Sequence, residues 1–114
     1  MRKRVAAIAA LLVALGSTQA IASLSEPEAR DKATHILMGD PYGNSPDEVA
    51  KNVKDAQMLS DGNTLACGAV NKPVWQFHVV VASPVTSPES PIDGYLVIDA
   101  TSGVFVCANL PMLD

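Results

Sequence analysis

Several residue types on which common protein classes depend are scarce in this sequence. Its 114 residues include two cysteines, five aromatic residues and eight lysines and arginines, against twelve aspartates and glutamates. This excess of negative charge argues against binding to nucleic acid or to anionic membranes by bulk charge. The longest apolar run, residues 5–15, has eleven residues, fewer than the roughly 20 that a membrane-spanning helix needs. The sequence therefore predicts neither a nucleic-acid-binding nor a membrane-spanning protein.

The first 22 residues have the pattern of a secretory signal peptide. A basic start at residues 1–4 precedes the apolar run, and small residues follow up to Ala22, after which we expect cleavage. Three of the eight cations lie in this segment, whereas all twelve carboxylates lie beyond it. Residues 23–114 would then carry five cations and twelve carboxylates, a net charge of −7. We expect a protein of the bacterial periplasm or the extracellular space.

That compartment is oxidising, which bears on the two cysteines. Cys67 and Cys107 are predicted to form a disulfide, and the alternative is a pair of buried free thiols. A bridge closing a loop of this length would stabilise the fold by about 4 kcal/mol on the chain-entropy estimate. Residues 23–114 are predicted to form a single domain around it.

Two helices are predicted first. Ser25 and Glu28 have the spacing of a capping box, and Gly39 supplies a stop for the first helix. Ser45 is placed to cap a second helix, with Pro46 in its first turn, and this helix is predicted to end near residues 61–63. The apolar faces are Ala29, Ala33, Ile36 and Leu37 in the first helix and Val49, Val53, Ala56 and Met58 or Leu59 in the second.

From Thr64 onward apolar residues recur with a period of two, which is typical of strands. Trp75, Phe77 and Val79 share one face of the second strand, and His78 lies on the other. Residues 83–91 contain three prolines and are predicted to be an extended connection, either a protruding finger or a spacer. Residues 100–103 suit a tight hairpin turn. The predicted strands are 64–70, 73–82, 92–100 and 104–110.

The predicted disulfide constrains the order of these strands. Bridged α-carbons lie within about 7 Å of each other, so the first strand must neighbour the fourth if both cysteines lie within strands. This predicts the order 2-1-4-3, with two N-terminal helices on the face that bears Trp75 and Phe77. The fold class is therefore α+β, ααββββ. The second and third strands would be edges, through which a homodimer could form.

The segment 72–109 resembles the PepSY family of small secreted domains. Residues 72–79 look like that family's strand of an aromatic followed by alternating apolar residues, and residues 94–104 are similar to its later hairpin. In that hairpin an Asp-Ala pair, here Asp99 and Ala100, precedes a turn ending in glycine; plain hairpin chemistry is the alternative explanation. The resemblance implies a small cystatin-like helix-on-sheet unit, of the kind found beside secreted peptidases as inhibitory or chaperone-like modules. It implies a binding domain rather than a catalyst.

Motifs for catalysis or cofactor binding are lacking. The two histidines, His35 and His78, form no metal-binding spacing, and there is no Cys-x-x-Cys or His-Glu-x-x-His. There is also no Gly-x-Ser-x-Gly elbow and no glycine-rich phosphate loop. The sequence predicts a protein that is not an enzyme and that holds neither a metal nor a cofactor.

The loop between the two predicted helices is the better candidate for recognition. It presents Asp40, Tyr42 and Asn44 in a turn-forming sequence, and an aromatic in a loop suits an interface anchor. In the alternative, Tyr42 folds back under the helix pair and Asp40 accepts hydrogen bonds within the turn. The apolar chain end, residues 110–114, is predicted to dock on the fold.

The function predicted from these features is binding to another protein. An acidic secreted domain suits a basic partner, such as a secreted hydrolase or an imported toxin, so an inhibitor or immunity protein is the sharpest form of the hypothesis. The first alternative is a periplasmic carrier that holds a small ligand near Trp75 and Phe77. The second is a small hydrolase that uses His78 with a nearby acid.

Overall fold

Two helices and then six strands make up the computed structural model of the protein, which describes residues 22–85 and 89–113. The predicted signal peptide, apart from Ala22, lies outside these residues. The helices are α1 (Glu26–Leu37) and α2 (Pro46–Asn52), and the strands are β1 (Val53–Leu59), β2 (Asn63–Thr64), β3 (Gly68–Ala69), β4 (Val74–Val81), β5 (Ile92–Asp99) and β6 (Phe105–Ala108). The four longer strands form one antiparallel sheet, and β2 pairs with β3 alone. The predicted α+β class, with two helices and a four-stranded antiparallel sheet, is confirmed.

Both predicted helix starts are present. The Ser25 hydroxyl accepts from the backbone N–H of Glu28, whose carboxylate accepts in return from the N–H of Ser25. The Ser45 hydroxyl caps α2 by accepting from the backbone N–H of Glu48. No helix within the described ranges is long and apolar enough to cross a membrane.

The second helix is shorter than the sequence predicts, because residues 53–59 form β1. Val53, Ala56 and Met58 lie opposite Val79, Phe77 and Trp75 of β4, and the register shifts between Val53 and Ala56. A bulge places two residues of one strand opposite one of its partner. The shift separates inward-facing residues by three positions instead of two. Their spacing therefore imitates a helical face.

The predicted first strand, 64–70, is also wrong, and so is the order built on it. Cys67 lies in the turn of the small β2–β3 hairpin, where the Thr64 hydroxyl accepts from the N–H of Cys67 and donates to the carbonyl of Gly68. The sheet order is β1-β4-β5-β6, instead of 2-1-4-3. The disulfide between Cys67 and Cys107 is confirmed, with α-carbons 6.5 Å apart. It joins a turn to an edge strand instead of joining two neighbouring strands.

The edges of the sheet differ from the prediction as a result. β4 and β5, the predicted edges, are central, and β1 and β6 are the edges. The guanidinium of Arg30 donates to the carbonyl oxygens of Val53 and Lys54, so the first residues of edge β1 already have partners from α1. Pairing of two copies through an edge stays a prediction and would involve β1 or β6.

One face of the sheet belongs to the main core. Trp75, Phe77 and Val79 form one buried cluster with Ala29 and Ala33 of α1, and the cluster also contains Leu37, Val49, Leu96 and Ile98. The indole N–H of Trp75 donates to the carbonyl of Leu24 at 3.0 Å, which satisfies the ring's one polar group. The chain before α1 is thereby held against the core.

The second face is covered at one end by the β2–β3 hairpin. Gln76, Val97 and Cys107 are successive partners across β4, β5 and β6, so their side chains share this face. Gln76 is 3% exposed and Val97 is fully buried. The backbone N–H of Leu65, at the hairpin tip, donates to Gln76 Oε1 at 2.7 Å. The hairpin therefore shields these residues, and the disulfide to Cys107 holds it in place.

The β5–β6 turn is organised by Asp99. Its Oδ1 accepts from the N–H groups of Ser102 and Thr101, and Lys72 Nζ lies 3.2 Å from its Oδ2. The two backbone donors and Lys72 lower the pKa of Asp99 to about 2. The predicted turn with Gly103 in a positive-φ conformation is present.

Removal of the disulfide should uncover the second face. In a Cys67→Ser/Cys107→Ser variant we expect the free energy of unfolding to fall by about 2–4 kcal/mol, measured by urea denaturation. Amide hydrogen exchange at Leu65 and Val70, whose N–H groups donate to Gln76 Oε1 and to the carbonyl of Gly62, should accelerate more than exchange at Phe77, because only the hairpin side loses its fixed cover. Equal acceleration on both faces would contradict this description of the hairpin.

Candidate functional site

Three loop segments meet at one end of the domain, which we call the loop end. They are the α1–α2 loop (39–44), the described parts of the β4–β5 connection (83–85 and 89–91) and the segment after β6 (109–112). Residues from these segments line two clefts, of about 430 and 300 Å³, and Pro41 lines both. The predicted site residues Asp40, Tyr42 and Asn44 line the smaller cleft.

The α1–α2 loop is closed by its own backbone. Gly39 and Gly43 exchange N–H···O bonds of 2.6 and 3.1 Å, and the Asn52 side chain donates to the carbonyl of Tyr42. Gly43 has a φ of +144°, and a Cβ there would lie 2.8 Å from both Glu48 Cβ and the backbone nitrogen of Val49. Only glycine fits this approach of the loop to α2. The loop is therefore a fixed surface feature.

Tyr42 faces inward from this loop. Its side chain is 2% exposed, and its hydroxyl donates to the carbonyl of Pro111. Burial raises the pKa of Tyr42 to about 12. Tyr42 thus ties the α1–α2 loop to the segment after β6, where Leu110 is also buried. Its predicted role as a contact for a partner stays a prediction.

The other predicted residues are at the surface. Asp40 and Asn44 are exposed, and the Asn44 amide donates to Asp40 Oδ1 at 3.1 Å. The backbone N–H of Asn44 donates to Glu48 Oε1 at 2.6 Å. The smaller cleft therefore has two carboxylates, those of Asp40 and Glu48, each held at a fixed position by Asn44.

The larger cleft, which we call the proline cleft, has walls from four separate parts of the chain. Its prolines are Pro41, Pro84, Pro91 and Pro111, and its polar groups include Asp93 and Asn109. Each proline fixes its own φ, and the Asn109 side chain accepts from the N–H of Tyr95 at 2.6 Å. The prolines and this hydrogen bond restrict the conformations that the walls of the cleft can adopt.

The open end of the second sheet face adjoins this cleft and contains a histidine. His78 Nε2 lies 2.6 Å from Asp93 Oδ1, and His78 Nδ1 lies 4.0 Å from Asp55 Oδ2. The ring stacks on Tyr95 with centroids 4.9 Å apart. Because the two carboxylates approach opposite ring nitrogens, they do not converge on one point. Across residues 22–85 and 89–113, no group of three or more His, Cys, Asp or Glu side chains is arranged to hold a metal ion.

His35, the other histidine, contacts different residues. It is exposed on α1, where its Nδ1 lies 3.0 Å from the carbonyl oxygen of Asp31. His35 Nδ1 also lies 3.9 Å from Asp31 Oδ2, but of the two histidines only His78 has a carboxylate near each ring nitrogen.

Sequence reasoning missed Asp93, Asn109 and the prolines of the proline cleft. The one sequence feature that could have pointed to the cleft is the density of prolines at residues 83–91. It indicates a stiff connection but does not show which other parts of the fold lie beside that connection. Pro84 is fully buried and lines the cleft, so at least this part of the connection is a wall of the domain.

Comparison of the chain with family models, with curated proteins and with solved structures gave no match. The resemblance to PepSY domains therefore stays a prediction from residues 72–109, and the function has to be argued from geometry and charge.

Replacement of Tyr42 by phenylalanine tests the connection between the loop and the chain end. We expect Tyr42→Phe to lower the free energy of unfolding at neutral pH by about 1 kcal/mol, because the carbonyl of Pro111 loses its donor. Since the folded-state pKa is raised, the contribution of the neutral phenol is complete below about pH 10 and is lost as the pH rises towards about 12. Urea denaturation between about pH 10 and 12 should show that the free energy of unfolding declines less steeply with pH in the variant than in the wild-type protein.

Tyr95→Phe is the matched control, because it removes the chain's other tyrosine from the sheet face. In this variant the free energy of unfolding should decline between about pH 10 and 12 as it does in the wild-type protein. If Tyr42→Phe had the stability and pH dependence of the wild-type protein, the description of Tyr42 as the tie would be wrong.

Proposed function

We propose that the protein is a non-enzymatic, secreted or periplasmic binding module for a basic protein, and that the loop end is its contact surface. A secreted hydrolase or an imported toxin is the partner class, which would make the protein an inhibitor or immunity protein. The observation that carries the proposal is the grouping of three exposed carboxylates, Asp40, Glu48 and Asp93, against the single cation Lys51 among the described residues that line two adjoining clefts.

The fixed geometry of the loop end supports binding. Hydrogen bonds close the α1–α2 loop on itself and on α2, and Tyr42 holds the segment after β6. A surface that is ordered before association loses less conformational entropy when it binds, so more of the contact energy appears as affinity.

The charge of the chain supports the choice of a basic partner. If residues 1–22 are removed as the sequence predicts, the remainder carries five cations and twelve carboxylates. A surplus of one sign accelerates association with the opposite sign and disfavours like-charged proteins. Such attraction weakens as salt is added, which gives the proposal a direct experimental signature.

We also propose that the chain is a PepSY-type domain with both helices on one face of the sheet. Support comes from the sequence of residues 72–109 and from the buried cluster that Ala29, Ala33 and Val49 share with β4 and β5. A PepSY-type module beside a secreted enzyme is consistent with an inhibitory role, and it needs no catalytic group of its own.

A small hydrolase is the second candidate, because His78 Nε2 lies 2.6 Å from Asp93 Oδ1 and a carboxylate can orient a histidine as a general base. This candidate requires His78→Ala to abolish a hydrolytic activity found on a broad substrate panel. Unchanged activity of that variant would remove it. The carrier hypothesis has less support, since Phe77 is fully buried in the core and Trp75 is 9% exposed, and neither residue lines the two clefts.

Capture of a partner tests the principal proposal. The immobilised protein, from Ser23 onward and with its disulfide oxidised, is exposed to periplasmic extract at low salt and eluted with a salt step. We expect a basic hydrolase or toxin, identified by mass spectrometry. The affinity of the purified partner should fall about tenfold or more for Asp40→Asn/Asp93→Asn, because two carboxylates leave the interface.

Asp31→Asn/Asp55→Asn is the matched control. It removes the same charge from two carboxylates whose side chains are 72% and 87% exposed and which do not line the clefts. This variant should retain the affinity of the wild-type protein. Equal losses in the two variants would refute the loop end as the contact, and the absence of any salt-sensitive partner would refute the function.

A further inference from the structure

We infer that the proline cleft is the pocket for one arginine side chain of the partner, with the Asp93 carboxylate as its counter-charge. This inference rests on the proposed function and names the group that the loop end recognises. It concerns the larger cleft only, which the sequence did not predict.

The size and lining of the proline cleft suit one long side chain. Its volume is about 430 Å³, within the roughly 300–1,000 Å³ of pockets that hold small ligands. The exposed Pro91 and Pro111 present pyrrolidine rings, and Met112, which is 76% exposed, adds a thioether at the rim. Apolar walls of this kind pack against the methylene stem of a long basic residue.

The polar end of the cleft selects a cation. Asp93 has a side chain that is 67% exposed, and none of the described residues that line the cleft is a lysine or arginine. In the hydrogen bond between His78 Nε2 and the Asp93 carboxylate, the acceptor is Oδ1. Oδ2 and the second lone pair of Oδ1 are therefore left to accept from an incoming donor.

Arginine fits this combination better than lysine does. Its guanidinium is planar, weakly hydrated and able to donate two parallel hydrogen bonds to one carboxylate. An ammonium group is more strongly hydrated, so it would lose more hydration energy against proline walls. Arginine side chains are also frequent anchors at the centres of protein interfaces.

His78 acts as a positioning residue for Asp93. It contacts Asp93 on one side, stacks on Tyr95, and has Asp55 near its other ring nitrogen. Asp55 lies on β1 and does not line the cleft. The chain thus offers two carboxylates beside the same histidine, only one of which belongs to the proposed pocket.

The test uses Nα-acetyl-L-arginine amide as a probe on the ¹⁵N-labelled, oxidised protein from Ser23 onward. We expect saturable amide shifts confined to the residues around the cleft, such as Asp93, Asn109 and Met112, with a dissociation constant of about 1–10 mM for so small a ligand. The neutral citrulline analogue should bind at least about tenfold more weakly.

Variants then separate charge from folding. Asp93→Asn should weaken probe binding about tenfold or more, Asp93→Glu should restore most of it, and Asp55→Asn should stay within about twofold of the wild-type protein. Retained dispersion of the amide spectrum shows that each variant is folded. Equal binding to Asp93→Asn and the wild-type protein, or shifts spread over carboxylates such as Asp31, would overturn the assignment.

The same experiment distinguishes the two proposals. Loss of probe binding to the cleft together with unchanged capture of a basic partner would overturn the arginine pocket and leave the binding function. Specific binding of the probe in the cleft without capture of any protein partner would overturn the binding function and leave the cleft as a site for an arginine side chain.

Discussion

Burial of β4 on both of its faces is the constraint on which the rest of the structure depends. Every residue from Val74 to Val81 is buried or half-buried, and such a strand needs a cover on each side. On one side, β4 shares a buried cluster with residues of α1 and α2, and Trp75 holds the chain before α1. The cover on the other side is the β2–β3 hairpin, which is too short to stay in place on its own and is fixed by the disulfide to Cys107. A protein with so few aromatic residues thereby obtains a two-sided core.

The second cover is incomplete, and this determines where a function can reside. Beyond Gln76 the face opens at His78, Tyr95 and Asp93, next to the loop end. Prolines and a glycine-closed loop surround that opening. The proposed recognition of a basic protein relies on the carboxylates and apolar clefts at this surface.

The sequence predicted the elements whose signals are local. Ser25 and Ser45 start their helices because a cap involves neighbouring residues only, and Gly103 marks a hairpin for the same reason. β1 was missed because its bulge separates Val53 from Ala56 by a helix-like spacing. The strand order failed because Cys67 lies in a turn. Turn chemistry indicated Asp40 and Asn44, whereas Asp93 acquires its surroundings only through pairing of β4 with β5 and contact with distant prolines.

The most direct test of the account is chemical-shift mapping of the ¹⁵N-labelled protein in complex with its purified basic partner. If the loop end is the contact surface, the largest changes will cluster at residues 40–44, 90–93 and 109–112 and will diminish as salt is added. Changes centred on the exposed side of α1 or on the outer edge of β1, with the loop end unaffected, would contradict it.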